Sequence, residues 1–184
     1  MSSNKSSLRI YDARFGRSIT LTHHLSYEHP FNPYILSMKI RPLKGHDIPN
    51  VQQLNHLTLP ENYTLEFLSI HYLLNPSTNY VAVLGNMLVG YLLADKNGTV
   101  ISLSVEKAYR NMNVATNLMH VFINRNGNDK VCLCVRVSNY RAVKFYVGRF
   151  NGVIRYVVKN YYENGDDAYF VEIERKCGGR ENAE

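Results

Sequence analysis

A strand-like run ends, a basic turn follows and a helix begins across Ser102-Leu103-Ser104-Val105-Glu106-Lys107-Ala108-Tyr109-Arg110-Asn111-Met112-Asn113-Val114-Ala115. The first N–H groups of a helix lack intrahelical acceptors and carry a partial positive charge. With Arg110 beside them they suit a phosphate. A turn of this kind also serves as a plain connection between two elements. The charges downstream sharpen the question. Lys130, Arg136, Arg141, Lys144, Arg149, Arg155 and Lys159 follow one another with no acidic residue between. Glu163, Asp166, Asp167, Glu172 and Glu174 come next, with no basic one. A basic block beside an acidic block marks either a polar surface near an anionic ligand or the solvated faces of strands and a helix.

Other chemistries lack their residues. There is no G-x-G-x-x-G after a strand, no G-x-x-x-x-G-K-[ST] and no G-x-S-x-G. The seven histidines form no H-x-x-x-H pair. Cys132 and Cys134 have one residue between them, whereas zinc pairs usually have about two to four, so no metal site is expected. Three cysteines at unrelated spacings do not make a secreted disulfide framework, and a reducing compartment is expected. The longest apolar run, Met87–Ala94, has eight residues against the roughly 20 of a membrane span. No apolar stretch follows the first basic residues, so no secretory signal is expected either.

The elements that must position these residues show in the side-chain pattern. With 184 residues, 45% of them apolar and 20% charged, the chain suits one soluble domain with a single core. Met1–Ser37 stands apart. It is rich in Ser, His and Asn and holds only short strand-like fragments at Leu8–Tyr11 and Ile19–Leu21, which reads as a poorly ordered extension. Arg175–Glu184 reads as a tail. The core between, 38–174, alternates strands and helices. Met38–Arg41 is a strand. Ile48, Val51, Leu54 and Leu57 give one helix an apolar face, and Leu65, Leu68, Tyr72 and Leu73 give a second, stopping near Pro76. Tyr80–Leu84 and Met87–Ala94 flank a Gly85-Asn86 turn. Asn97-Gly98 is a hairpin turn leading into Val100–Val105. A helix over Val114–Ile123 precedes a strand over Lys130–Val137. Asn139 caps a helix reaching Tyr146, with Gly148 as its stop. Val153–Val158 and Ala168–Ile173 close the core as strands. The expected architecture is mixed α/β: one twisted sheet flanked by about four helices, with parallel pairing only between Val100–Val105 and Lys130–Val137.

Taken in order, these segments resemble the GNAT acetyltransferase superfamily, and within it the catalytic subunits of the protein N-terminal acetyltransferases, most of all the A-type. Met38-Lys39-Ile40-Arg41 is similar to the family's opening strand, and Leu59-Pro60-Glu61-Asn62-Tyr63 to its substrate loop. Arg110-Asn111-Met112-Asn113-Val114-Ala115 falls on the acetyl-CoA motif Arg/Gln-x-x-Gly-x-Gly/Ala. Val135-Arg136-Val137-Ser138-Asn139 and Phe145-Tyr146 fall on the next strand and helix. The segment 160–169, reading NYYENGDDAY, matches the C-terminal substrate hairpin. The resemblance spans about Met38–Glu174.

That resemblance implies a GNAT fold and an enzyme that moves acetyl from acetyl-CoA to the α-amine of nascent polypeptides, without a metal. It implies that Leu103 and Val105 pair with the pantetheine arm and that the Val105 N–H supports an oxyanion. Arg110, Asn111, Met112, Asn113, Val114 and Ala115 would hold the pyrophosphate, with Asn139 also in the cofactor site. Glu61, Arg136 and Tyr162 would position and deprotonate the amine. Leu59, Pro60, Tyr63 and Tyr161 would line the peptide slot with Glu61 and Tyr162. Tyr146 would lie near the thioester sulfur as a proton donor. A free α-amine titrates near about 7.7–8.0, so a weak base, or one acting through water, suffices. Each residue also has a plainer reading: Glu61 as a first-turn helix charge, Tyr146 as core, Tyr161 and Tyr162 as cross-strand packing.

The resemblance further implies a large helical auxiliary subunit, the ribosome reached through it, and a cytoplasmic location. Substrates would be small residues exposed after Met removal, or acidic N-termini when the subunit acts alone. The chain departs from the family pattern at Asn113, in place of the loop glycine, and at Cys134, in place of a strand histidine. The connection at Asp95–Thr99 is also shorter. Three other readings stand beside the A-type enzyme. One is a B-type enzyme acting on Met followed by an acidic or amide residue, toward which VRVSN at 135–139 leans. Another is a degenerate subunit that only docks on partners. The third, a nucleic-acid binder, has the basic block but no recognised motif.

Overall fold

A computed structural model describes residues 6–12, 17–23 and 38–175. Strands β1 (Ser6–Asp12) and β2 (Arg17–His23) form an antiparallel pair with Ile10 opposite Ile19. They contain the fragments read at Leu8–Tyr11 and Ile19–Leu21. The rest of the expected extension, and the tail beyond Arg175, lie outside the described residues.

The remaining strands are β3 (Met38–Pro42), β4 (Tyr80–Leu84), β5 (Met87–Ala94), β6 (Thr99–Val105), β7 (Lys130–Arg136), β8 (Val153–Val158) and β9 (Ala168–Glu174). They form one sheet in the order β3-β4-β5-β6-β7-β9-β8. Every pairing in it is antiparallel except β6 with β7, where helix α3 (Val114–Arg125) intervenes, as expected. Helices α1 (Ile48–Thr58) and α2 (Leu65–Leu74) cover one face over Val81, Tyr91 and Leu93. On the other face lies α3, with Val114, Leu118, Met119 and Phe122 packed on Ala82, Leu92, Leu133 and Val171. Helix α4 (Tyr140–Lys144) completes four helices around the sheet. Among the described residues no helix is long and apolar enough to cross a membrane.

Local chemistry accounts for most boundaries. Pro49 lies in the first turn of α1, where a missing N–H costs nothing. Thr64 caps α2, its hydroxyl accepting from the Phe67 N–H at 3.1 Å. Asn139 caps α4 through Ala142 at 3.1 Å, as read from the sequence. Three expectations need correction. Gly148 does not stop the last helix. The chain continues through a wide π turn, Phe145–Arg149, in which Phe145 packs on Tyr146 and Phe150. The turn comes at Asn151, with φ 53, and Gly152, where a Cβ would meet Val171 Cγ1 at 2.8 Å. Leu57 does not extend the buried face of α1; it is exposed, and Asn55 is buried instead. In α2, Leu65 and Leu73 are exposed, and Leu68 and His71 face the core. An apolar residue at helical spacing enters the core only where the sheet lies beneath it.

Asn55 is fully buried because it satisfies three groups. Its Nδ2 donates to the Glu61 carbonyl at 3.2 Å and to the Tyr91 hydroxyl at 3.1 Å, and its Oδ1 accepts from the Tyr63 N–H at 2.8 Å. It thereby holds the loop 59–64 against the sheet. Asn55→Ala should lower the free energy of unfolding by about 2–4 kcal/mol, because each buried group left unpaired costs about 1–3 kcal/mol. Urea denaturation measures it. A loss below about 1 kcal/mol would mean that the loop is held without this side chain.

Candidate active site

The site begins with a gap in the sheet. Strand β6 stays paired with β5 as far as Val105, opposite Gly90, but meets β7 only at Thr99–Cys132 and Val100–Leu133. Glu106 donates to the Val89 carbonyl at 2.9 Å, so Val89 and Glu106 are a hydrogen-bonded pair and Gly90 and Val105 are not. The backbone groups of Val105 and Leu103 therefore turn away from β5, toward the gap. Gly90 lets α3 seat here: a Cβ on it would lie 3.0 Å from Val114 Cγ1 and 3.2 Å from the Ser104 carbonyl. On the other face, the Thr58 hydroxyl meets that of Ser104 at 2.6 Å and ties α1 to the strand.

The gap opens into a cleft of about 510 Å³. Of the residues expected to hold a cofactor, Leu103, Val105, Arg110, Asn111, Asn113, Val114, Ala115, Asn139 and Tyr146 line it. Met112 does not; its side chain points outward and is 40% exposed. Asn113 begins α3 in the left-handed region (φ 59), and Asn111 is left-handed too (φ 66). Asparagine accepts this conformation more readily than other non-glycine residues. The first helical acceptor bond comes from Asn117, to the Asn113 carbonyl at 2.9 Å. The N–H groups of Val114, Ala115 and Thr116 thus have no helical acceptor.

Beside the cleft a second group assembles from three distant segments. The Arg136 guanidinium, at the end of β7, binds Glu61 of the loop 59–64 and Asp166 of the loop after β8. It also lies over the Tyr162 ring, 3.9 Å from the centroid. Tyr161 packs edge-on against Tyr162, with centroids 5.0 Å apart, and Tyr63 stacks on Phe67 at 4.6 Å. Leu59 and Pro60 line the cleft itself, so this loop joins the two groups. Burial and the Glu61 carboxylate push the Tyr162 phenol up to about 12, and burial with the neighbouring Cys134 does the same for Tyr161. Burial raises Tyr146 further still, with Tyr162 adding to it. Cys134 is hydrogen-bonded to Tyr161, and burial raises its thiol as well.

Reading by sequence passed over several cleft residues: Thr58, Ser104, Thr116, Phe145, Arg141 and Arg149. The basic block held the signal for the last two, because the acidic block neutralises much of the rest. Lys130 and Arg155 reach Glu172 at 3.0 and 2.5 Å, and Lys159 reaches Asp167 at 2.7 Å. Among the described residues, no group of three or more His, Cys, Asp or Glu side chains is arranged to hold a metal.

Tyr146, Tyr161 and Tyr162 hold their protons more tightly in the folded chain than in the unfolded one, where a phenol titrates near about 10. The stability that Tyr161 and Tyr162 bring is complete below about pH 10 and is lost as the pH rises through about 12, and that of Tyr146 is lost at higher pH still. Urea midpoints should therefore fall across this alkaline range, and Tyr162→Phe should flatten the fall. Parallel curves for the parent chain and the variant would remove Tyr162 from that account.

Residues 48–152 match the Acetyltransferase (GNAT) family. The chain is 32% identical over 151 residues to an N-alpha-acetyltransferase of Saccharolobus solfataricus, across 72% of this chain and 90% of that one. It is 32% identical over 146 residues to the catalytic subunit ard1 of the N-terminal acetyltransferase A complex of Schizosaccharomyces pombe, across 72% and 82% of the two chains. The crystal structure of Ard1 from Thermoplasma volcanium matches with a TM-score of 0.70 at 25% identity, covering 74% of this chain and 97% of that one. With the cleft and the sheet gap in the same span, the chain belongs to the GNAT acetyltransferase family and is an acetyl-CoA-dependent N-terminal acetyltransferase.

Proposed function

We propose that the chain is the catalytic subunit of an A-type N-terminal acetyltransferase, acting in the cytoplasm on nascent polypeptides at the ribosome together with a large helical auxiliary subunit. The observation that carries this reading is the convergence of Glu61, Arg136 and Tyr162 beside the cleft. The donor set of the cleft fits acetyl-CoA: among the described residues, three arginines and no carboxylate line it, for a ligand with three phosphates. Arg110 and the N–H groups of Val114 and Ala115 would receive the pyrophosphate, and the free edge at Leu103 and Val105 the amide-bearing arm. Acetyl-CoA, when bound, supplies the acetyl group as a thioester.

The chain's own residues divide the remaining work. Arg136 holds Glu61 by Oε1 and leaves Oε2 to accept a proton from the α-amine through a water. Tyr162, held at about 12, keeps its proton at neutral pH. Its part is to orient the amine, with Glu61 as the base. The Val105 N–H, turned into the gap, faces developing negative charge on oxygen. Tyr146 is buried, and burial keeps it protonated; it would give its proton to the leaving sulfur. Cys134 carries no role here: its raised thiol holds its proton.

Glu61→Gln and Tyr162→Phe should each lower turnover at least about tenfold, within the range of positioned acid–base groups, and leave acetyl-CoA affinity unchanged. Cys134→Ser should match the parent chain. Steady-state acetylation of peptides beginning Ser, Ala, Glu-Glu, Met-Asp and Met-Leu checks both these variants and the substrate class. Preference for Met-Asp would replace the A-type reading with the B-type, and a crippled Cys134→Ser beside an active Glu61→Gln would reverse the base.

The auxiliary subunit has a surface to occupy. The outer side of α2 presents Leu65, Phe67, Ile70, Leu73 and Leu74 to solvent, with Leu73 and Leu74 73% and 70% exposed. A contiguous apolar patch of this kind marks an interface, and the ard1 relative is by name a subunit of a complex. Co-expressed with a large helical auxiliary subunit from its own genome, the chain should co-elute with it. A Leu73→Asp/Leu74→Asp variant should elute alone while keeping its affinity for acetyl-CoA. Co-elution of that variant would take this face out of the interface.

A further inference from the structure

Two arginines on the far wall of the cleft have no carboxylate partner among the described residues. Arg141 Nη2 donates to Asn111 Oδ1 at 2.7 Å. Arg149 Nη1 donates to Asn113 Oδ1 at 2.8 Å and to the Thr116 hydroxyl at 3.2 Å. Both line the cleft, and both are exposed. Their partners are the two left-handed asparagines of the turn before α3. A neutral amide oxygen positions a guanidinium but leaves its charge uncompensated. The remaining donors of each guanidinium are open, and its planar fork suits a phosphate. Together with Arg110, whose Nε is fixed on the Val105 carbonyl at 3.1 Å, they place three cations and, among the described residues, no anion around one opening.

We propose that Arg141 and Arg149 are phosphate ligands for acetyl-CoA, and that Asn111 and Asn113 are positioning residues that aim them. This rests on the acetyl-CoA reading of the cleft. A glycine at position 113 would let the backbone approach a phosphate closely. Here the asparagine supplies the same left-handed turn, and its side chain recruits a cation from across the cleft. The phosphate end of the ligand is thus gripped from both walls, by the start of α3 and by the segment 140–149.

The test measures affinity of the full chain and its Arg141→Gln, Arg149→Gln and Asn113→Gly variants for CoA, dephospho-CoA and pantetheine. Calorimetry serves the nucleotides, and ligand-observed NMR the weaker pantetheine. Each arginine variant should lose about tenfold in CoA affinity, which is about 1.4 kcal/mol. Its CoA affinity should depend less steeply on salt, and its pantetheine affinity should not move. A loss shared with dephospho-CoA places that arginine on the pyrophosphate, and one confined to CoA places it on the 3′-phosphate. Asn113→Gly should weaken CoA and spare pantetheine. Parent-like CoA affinity in the arginine variants would overturn their assignment, as would equal losses for CoA and pantetheine. Unchanged or tighter CoA binding by Asn113→Gly would overturn its positioning role. Absence of CoA binding by the parent chain would instead remove the acetyl-CoA reading itself, and this assignment with it.

Discussion

The parting of β6 from β7 beyond Val100 is the constraint on which the rest of the structure depends. Breaking a ladder inside a sheet leaves backbone donors and acceptors unpaired, and a buried group left so is costly. The cost is contained because Arg110 Nε donates to the Val105 carbonyl and the rest of this edge faces a cleft open to water and ligand. The flanking elements hold the gap in place. Val114 sits against Gly90, which has no Cβ to push it away, and Ser104 is tied through its hydroxyl to Thr58. Strand β7 follows β9 instead, paired with it along its whole length from Lys130 to Arg136.

Charge is distributed around this gap in two ways. On the strands behind it, acidic and basic side chains meet and cancel: Glu172 alone takes Lys130 and Arg155. Around the mouth they do not cancel, because among the described residues the cleft lining holds arginines and no acid. Exposed ion pairs of the first kind contribute little to stability. The uncancelled cations lose some stability to mutual repulsion, and they create a potential that draws in a polyanion.

Arg136 organises the second half of the site. One guanidinium holds Glu61, Asp166 and the Tyr162 ring, so the loop 59–64 and the loop after β8 share a single anchor. Asn55 fixes the first of these loops from below through the Glu61 carbonyl and the Tyr63 N–H. The positions of Glu61 and Tyr162 therefore depend on a buried amide and on a strand-end cation, neither of which is adjacent in the chain.

Much of the fold is legible in the residue pattern. The alternation in β6, the three-residue recurrence in α1, the Asn97-Gly98 turn and the Asn139 cap are local, and local sterics and hydrogen bonding decide them. The motif around Arg110–Ala115 and the loop at Leu59–Tyr63 were legible as a family likeness. Tertiary structure decided the rest. Whether Leu57 or Asn55 faces inward depends on where the sheet ends beneath α1. Whether the helix after Asn139 stops at Gly148 depends on the packing of Phe145 and Phe150 three-dimensionally, and that packing carries it on to Arg149. A run of seven basic residues reads the same whether its charges are cancelled or exposed. The register of β7, β8 and β9 brings Lys130 and Arg155 to Glu172, while the segment 140–149 carries Arg141 and Arg149 to the cleft. Charge has no periodicity that announces its partner, because Coulomb energy depends on distance in space and not along the chain.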